Sequence, residues 1–211
     1  MKKLFAYGGI AASFVLIAFG IAAIVMGLDG RSTVRDSLAA EKIVGGDDMS
    51  PALIQEGIKE AGLTGVTIPE KDIVGANIDT GAESRSFAEY MRIHALESSG
   101  GLTYAEMGRF ATPDGNPAGT SDSEQALKDE NGEPVSNSAR NTWVTETALS
   151  TALNVSFMAE QIALFGIVVG VALLLSGIGF LVLTIGGALG IAVIPRRQAA
   201  KSKLDTASAA T

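Results

Sequence analysis

Charge vanishes from two long stretches of this chain, and polar and apolar residues mix only between and outside them. No Asp, Glu, Lys, Arg or His occurs from Leu4 to Leu28 or from Gln161 to Pro195. A hydrocarbon layer about 30 Å thick is crossed by roughly 20 apolar helical residues, so each stretch predicts a transmembrane helix. The expected fold class is a mainly α membrane protein: a two-helix transmembrane hairpin with a mostly helical extracytoplasmic domain inserted between the spans. The expected boundaries are 1–3 for a cytoplasmic N-terminus, 4–28 and 161–195 for the spans, 29–160 for the outer domain and 196–211 for a tail. A cleaved signal peptide is the alternative for the first stretch. The run is long for such a segment and no Ala-x-Ala precedes Asp29, which favours an uncleaved anchor.

Between the spans the pattern becomes helical again. Val34, Leu38 and Ile43 extend a helix outward from the first span, over Thr33 to Val44. Ser50-Pro51 reads as an N-cap followed by proline at the first helical position, with Leu53, Ile54 and Ile58 on one face and Gly62 as the stop. Residues 63–81 are short β-branched runs broken by Gly and Pro, which predict an extended excursion or small hairpin. Ser86 is expected to open a helix that Gly100-Gly101 closes, with Phe87, Tyr90, Met91, His94 and Ala95 sharing a face. Thr103 to Glu106 is a capping-box sequence. The turn-rich run 111–138 has little to bury, and is expected to be a polar loop that is flexible or ordered only against a partner. From Ala139 the helical signal continues without a breaker through 139–160 into the second span. Trp143 then lies about 27 Å along the helix from residue 161, so it is assigned to packing in the outer domain rather than to an interfacial anchor.

Charge orients the hairpin. Residues 29–160 carry 10 Lys/Arg against 22 Asp/Glu, a formal charge of −12. Lys2 and Lys3 lie at one end, and Arg196, Arg197, Lys201 and Lys203 at the other. Basic residues flanking spans stay on the cytoplasmic side, which places both termini inside and the acidic domain outside. With no cysteine, no disulfide, thiolate ligand or covalent haem attachment is available to the outer domain.

The spans are rich in small residues. Gly166, Gly170 and Gly177 recur along the second, with Gly186 and Gly190 beyond them, and Gly8, Gly9, Ala12, Ser13, Gly20 and Ala23 along the first. Such spacing lets helix backbones approach closely in lipid, and the glycines of the second span are candidates for helix packing or a partner interface. Gly and Ala are also simply common in spans. At 35 residues the second stretch would make about 50 Å of helix. It is expected to tilt, to break near Gly186-Gly187, or to be covered in its upper part by another protein.

Signatures of chemistry are sparse. Pumps and proton carriers place ionisable groups inside their spans, and this chain places none. It lacks Gly-x-Ser-x-Gly, the phosphate-cradling Gly-x-x-x-x-Gly-Lys and His-Glu-x-x-His. His94 is the single histidine and reads as a half-buried structural residue. Asp114, Asn116 and Gly119 imitate the start of a calcium loop, but Ala118 and Gln125 stand where carboxylates are wanted, so the segment reads as a turn. No catalytic residue, cofactor or metal is expected, and no nucleic-acid partner.

The segment Ile93-His-Ala-Leu-Glu-Ser-Ser-Gly-Gly-Leu-Thr-Tyr-Ala-Glu106, followed by a long helix into a Gly-rich span, resembles a family of actinobacterial two-span membrane proteins. Members often carry a ring-opening dioxygenase label. The resemblance covers roughly residues 86–194, with a polar insertion at 111–138 longer than the family pattern. One histidine cannot supply the two-His-one-carboxylate iron triad that the label implies, so dioxygenase activity is not expected. Proteins of this size and topology in that group include accessory subunits of the cytochrome bc–cytochrome oxidase supercomplex. The resemblance therefore implies a non-enzymatic accessory subunit with integral membrane partners, such as cytochrome oxidase and cytochrome bc subunits. Tyr90, His94 and Tyr104 are the candidates for docking in the outer domain. A cell-envelope binding protein for cations, lipid or cell-wall precursors and a self-associating hairpin are the alternatives.

Overall fold

The computed structural model describes residues 2–188, with side chains from residue 6 to residue 187. Gly190, the end of the second uncharged stretch and the basic tail lie outside the described residues, as do the side chains of Lys2 and Lys3. The described chain is 65% helical and forms no strand. Its helices are α1 (Lys2–Glu41), α2 (Pro51–Glu60), α3 (Gly81–Ser99) and α4 (Ser138–Leu183), with one 3-10 turn at Tyr104–Glu106. α1 and α4 each hold a segment long and apolar enough to cross a membrane. Past Leu183 the helix widens into a π-helical turn over Thr184–Ala188, which contains the Gly186-Gly187 pair.

The described residues fall into two compact units, one made of residues up to Leu28 and from Leu164, the other of Asp29–Ala163. In the first unit α1 and α4 meet along a seam of small residues. A Cβ placed on Gly170 would lie 2.7 Å from the Gly20 carbonyl oxygen and 2.9 Å from the Ile24 nitrogen. One on Gly177 would lie 2.9 Å from the Ile17 nitrogen and 3.0 Å from the Ser13 oxygen. Ser13 is fully buried there, its hydroxyl donating to the Gly9 carbonyl at 2.7 Å. Backbone-to-backbone approach of this kind is what small residues permit between apolar helices. Gly170 and Gly177 therefore face the chain's own first helix.

The second unit is a small helical domain. Ser50 caps α2, accepting from the Leu53 N–H at 3.3 Å with Pro51 next to it. Ile54, Ile58, Ile73, Ile78, Phe87 and Ile93 close a core between α2, α3 and the connection that joins them, with Leu38 of α1 and Leu153 of α4 at its edges. The connection 61–80 forms no hairpin; it is irregular, with the isolated bridge Val44 to Asn77. Gly100 ends α3 in a left-handed conformation (φ 65°), and the Gly101 N–H returns to the Leu96 carbonyl at 2.8 Å; glycine adopts that φ without the Cβ penalty. Trp143 is buried at 4% exposure, packed with Ala95, Met107 and Ala139.

The 111–138 loop carries its own order. Phe110 pairs with both Thr120 and Ser136, Ala111 accepts from the Leu127 N–H and donates to the Val135 carbonyl, and the Asn137 amide donates to the carbonyls of Gly108 and Pro117. Its acids are turn caps: Asp114, Asp122 and Asp129 accept from the backbone N–H groups of Asn116, Glu124 and Asn131. Asn116 caps Ala118 in the same way, so the calcium-like spacing is a pair of Asx turns.

Candidate functional site

Glu146 and Glu160 are the only charged residues from Asn141 to Pro195. Fourteen residues is close to four helical turns, so both project from one face of α4, and each organises part of the second unit. Glu160 gathers three elements. Its Oε1 accepts from Arg31 Nε at 2.8 Å and Arg35 Nε at 3.0 Å, both on α1. Its Oε2 accepts from the Gly81 N–H at 2.6 Å, at the first residue of α3. A helix N-terminus leaves its first N–H groups unpaired and favours negative charge, and Glu160 supplies both the acceptor and the charge. Burial pushes the Glu160 carboxyl up, but the Arg31 hydrogen bond, the Gly81 amide and Arg35 outweigh it and hold the group below the usual carboxylate range. Beside it, buried Ser84 donates to the Gly81 and Leu153 carbonyls.

Gly81 fits this junction because it has no side chain. A Cβ there would lie 2.8 Å from Glu160 Oε2 and 2.9 Å from the Phe157 Cα. Alanine is otherwise the better helix former by roughly 1 kcal/mol, so the clash and the propensity oppose each other. Overpacking against a backbone atom costs about 1–3 kcal/mol, which outweighs propensity. Gly81→Ala is expected to lower the thermal midpoint of the purified full chain by several degrees; an unchanged or raised midpoint would show that α4 yields at Phe157.

Higher on α3, Arg92 lies over the Trp143 ring at 4.0 Å and donates from Nη1 to Glu146 at 3.1 Å. The Glu146 side chain is only 2% exposed, and the Ser150 hydroxyl donates to its other oxygen. With its oxygens committed in this way, Glu146 is held as an ion-pair anchor between α4 and α3. Next to the pair is an open cleft of about 850 Å³ between the 61–67 turn, α3 and α4, its walls including Arg92, Glu89, Thr147, Thr151 and Asn154. Adjoining it at Thr147 and Thr151, the residues Tyr104, Trp143, Val144 and Ala148 border a shallow apolar groove of about 540 Å³.

The sequence-derived docking residues fall in three different environments. Tyr90 is 0% exposed and its hydroxyl donates to the Lys71 carbonyl at 2.9 Å; it is a core residue closing α3 on the 61–80 connection, which corrects its assignment to a docking surface. His94 is half-buried. Asp48 Oδ2 lies 3.0 Å from its Nε2, yet the alignment is too poor for a hydrogen bond, and that nitrogen is buried without a partner. Tyr104 is 42% exposed, stacked under Arg140 at 4.0 Å. Of the span glycines, Gly170 and Gly177 lie in the α1–α4 seam, a Cβ placed on Gly166 would meet the Ala23 carbonyl oxygen at an ordinary 3.8 Å, and Gly186 lies in the π-helical turn. Among the described residues no group of three or more His, Asp or Glu side chains converges as metal ligands would.

Comparison with protein families, with curated proteins and with solved structures found no match to this chain.

Proposed function

We propose that the chain is a two-pass membrane protein with cytoplasmic termini and an acidic outer domain, acting as a non-enzymatic accessory subunit of a larger membrane complex. The observation that carries this reading is the apolar surface left on α1 and α4 after their seam is closed. Phe14, Phe19, Phe165, Leu175 and Leu183 are each more than 60% exposed, and such surface belongs in lipid or against other apolar helices. The enclosure of Glu146 and Glu160 in ion pairs supports a structural role over a catalytic one. The groove at Tyr104 and Val144 supplies the outer domain with apolar surface to dock on. The host we favour is the cytochrome bc–cytochrome oxidase supercomplex, on the resemblance across residues 86–194 and on the acidic domain, which would orient a basic cytochrome c-type neighbour.

Purification of the tagged protein in mild detergent tests this, using a native gel with redox difference spectra and mass spectrometry. Haem absorbance and oxidase subunits are expected in the band that holds the chain. A small band free of haem would remove the respiratory host. The cleft beside Arg92 favours a second reading, a cell-envelope binding protein. Association that weakens with salt supports docking through the acidic domain, whereas a stable homo-oligomer of the purified chain would point to a self-associating hairpin.

A further inference from the structure

Arg31 and Arg35 stand one helical turn apart on α1, and both turn Nε toward the same Glu160 oxygen. Their side chains are 41% and 42% exposed, while that of Glu160 is 9% exposed. Among the described residues the Nη groups of both guanidinium ions have no hydrogen-bond partner. Two positive charges against one carboxylate leave the cluster with a formal charge of +1. At 100° per residue Asp29 and Asp36 fall on the far side of α1 from this pair, and Asp36 is occupied with the Ser32 hydroxyl. The result is a fixed pair of forks with outward donors, the geometry that suits the oxygens of a phosphate group.

The position of the pair in the chain says where such a phosphate would be met. Arg31 follows the last residue of the first uncharged stretch by three positions and Arg35 by seven, about 4.5 and 10 Å along the helix. The headgroup layer on each side of a bilayer is roughly 5–8 Å deep, so the forks stand in that layer and at its outer edge. Glu160 immediately precedes the second uncharged stretch. We propose that Arg31 and Arg35, held by Glu160, form a binding site for the phosphate of an anionic phospholipid headgroup. This rests on the membrane reading above. The carboxylate performs two tasks: it fixes the Nε edges, so less side-chain freedom is lost on binding, and it lowers the charge so that the two arginines can stand side by side.

The full chain, purified in a polyoxyethylene detergent, is titrated with phosphatidylglycerol, phosphatidylcholine and inorganic phosphate, and bound ligand is read by native mass spectrometry. Arg35→Gln retains Arg31 as the partner of Glu160, and a thermal melt checks that it stays folded. Saturable phosphatidylglycerol binding is expected, stronger than that of phosphatidylcholine and weaker by roughly fivefold in Arg35→Gln. Lys128→Gln removes an equal charge from an exposed position in the 111–138 loop and is expected to leave binding unchanged. Equal retention of the two lipids, or equal loss in both variants, would overturn the site. Displacement of the lipid by inorganic phosphate at equal concentration would support the anion site and assign it to the free ion. Flotation with vesicles is scored in parallel. A chain that floats but fails the Arg35→Gln comparison loses only this site, and a chain that does not float loses the membrane reading itself.

Discussion

Gly170→Leu is expected to part α1 from α4 and to destabilise the paired helices by at least 2–3 kcal/mol, the upper range for overpacking. The wild-type contact is backbone on backbone. The space beside Gly170 is bounded by the Gly20 carbonyl oxygen, the Ile24 nitrogen and the Ile24 side chain, each 2.7–2.9 Å from where a Cβ would sit. A rotamer change could move the Ile24 side chain but not the other two atoms, so the helices must separate. Gly20 has the reciprocal problem, with the Leu174 nitrogen at 2.7 Å and the Gly170 oxygen at 2.8 Å from its Cβ position. Gly179 has nothing within 4 Å and is the control: Gly179→Leu adds the same side chain to an open face. A thermal melt of the two variants in one detergent separates the cases, and equal midpoints would show that the seam does not hold the pair together. If Gly179→Leu alone loses co-purifying proteins, the partner face is the one opposite the seam.

The seam illustrates what the sequence could and could not disclose. Glycine at four-residue spacing announces close helix contact, but does not say whether the contact is with the chain's own helix or another. That choice depends on registering Gly20 against Gly170 and Ser13 against Gly177, residues more than 140 positions apart. Local signals were legible wherever the partner is local: Ser50-Pro51 starts α2, Gly100 ends α3, and the absence of a breaker after Ala139 gives one long α4. Periodicity placed the start of α3 at Ser86, five residues late. Its first turn is Gly-Ala-Glu-Ser, without a large apolar residue, and its opening N–H is satisfied by Glu160 from 79 residues away. Thr80 and Glu83 are the available clue, a Thr-x-x-Glu sequence in which the Thr80 hydroxyl accepts from the Glu83 N–H at 3.3 Å and donates to the Glu83 carboxylate at 2.8 Å. The sequence of the 111–138 loop predicts flexibility or order only against a partner, because its actual order comes from paired backbone groups and from Asp side chains used as caps, neither of which leaves an apolar pattern. Tyr90 and His94 share a helical face, yet one is sealed in the core and the other half-exposed; periodicity separates faces, not depth. Glu146 and Glu160 were countable as isolated acids on one stripe of a charge-free helix, and isolation of that kind is the signal for a buried ion pair.

Arg92→Leu is expected to be the most damaging single change in the polar unit, at about 2–4 kcal/mol, because of what it leaves behind. The guanidinium is nearly half-exposed, at 46%, whereas its partner Glu146 is at 2%. Removing the arginine does not release the carboxylate to water; it strands a charge against Trp143, Ser150 and the flank of α3. Breaking one side of a buried pair costs about 3–5 kcal/mol where both groups are enclosed, and the exposure of Arg92 scales that down. Loss of the stacking on Trp143 adds roughly 0.5–1 kcal/mol at a site this open. The reverse variant, Glu146→Gln, leaves Arg92 free to turn outward and keeps an oxygen for the Ser150 hydroxyl, so its cost is expected to be the smaller of the two. The double variant Arg92→Leu with Glu146→Leu removes both charges and is expected to recover most of the loss, since apolar replacement of an ion pair is often neutral or better. Trp143 is the only tryptophan in the chain and sits under the guanidinium, so its emission reports the site directly during denaturant unfolding of the three variants. Equal midpoints for Arg92→Leu and Glu146→Gln would mean that the pair behaves as a surface ion pair, and would remove Glu146 as the anchor of α3 on α4.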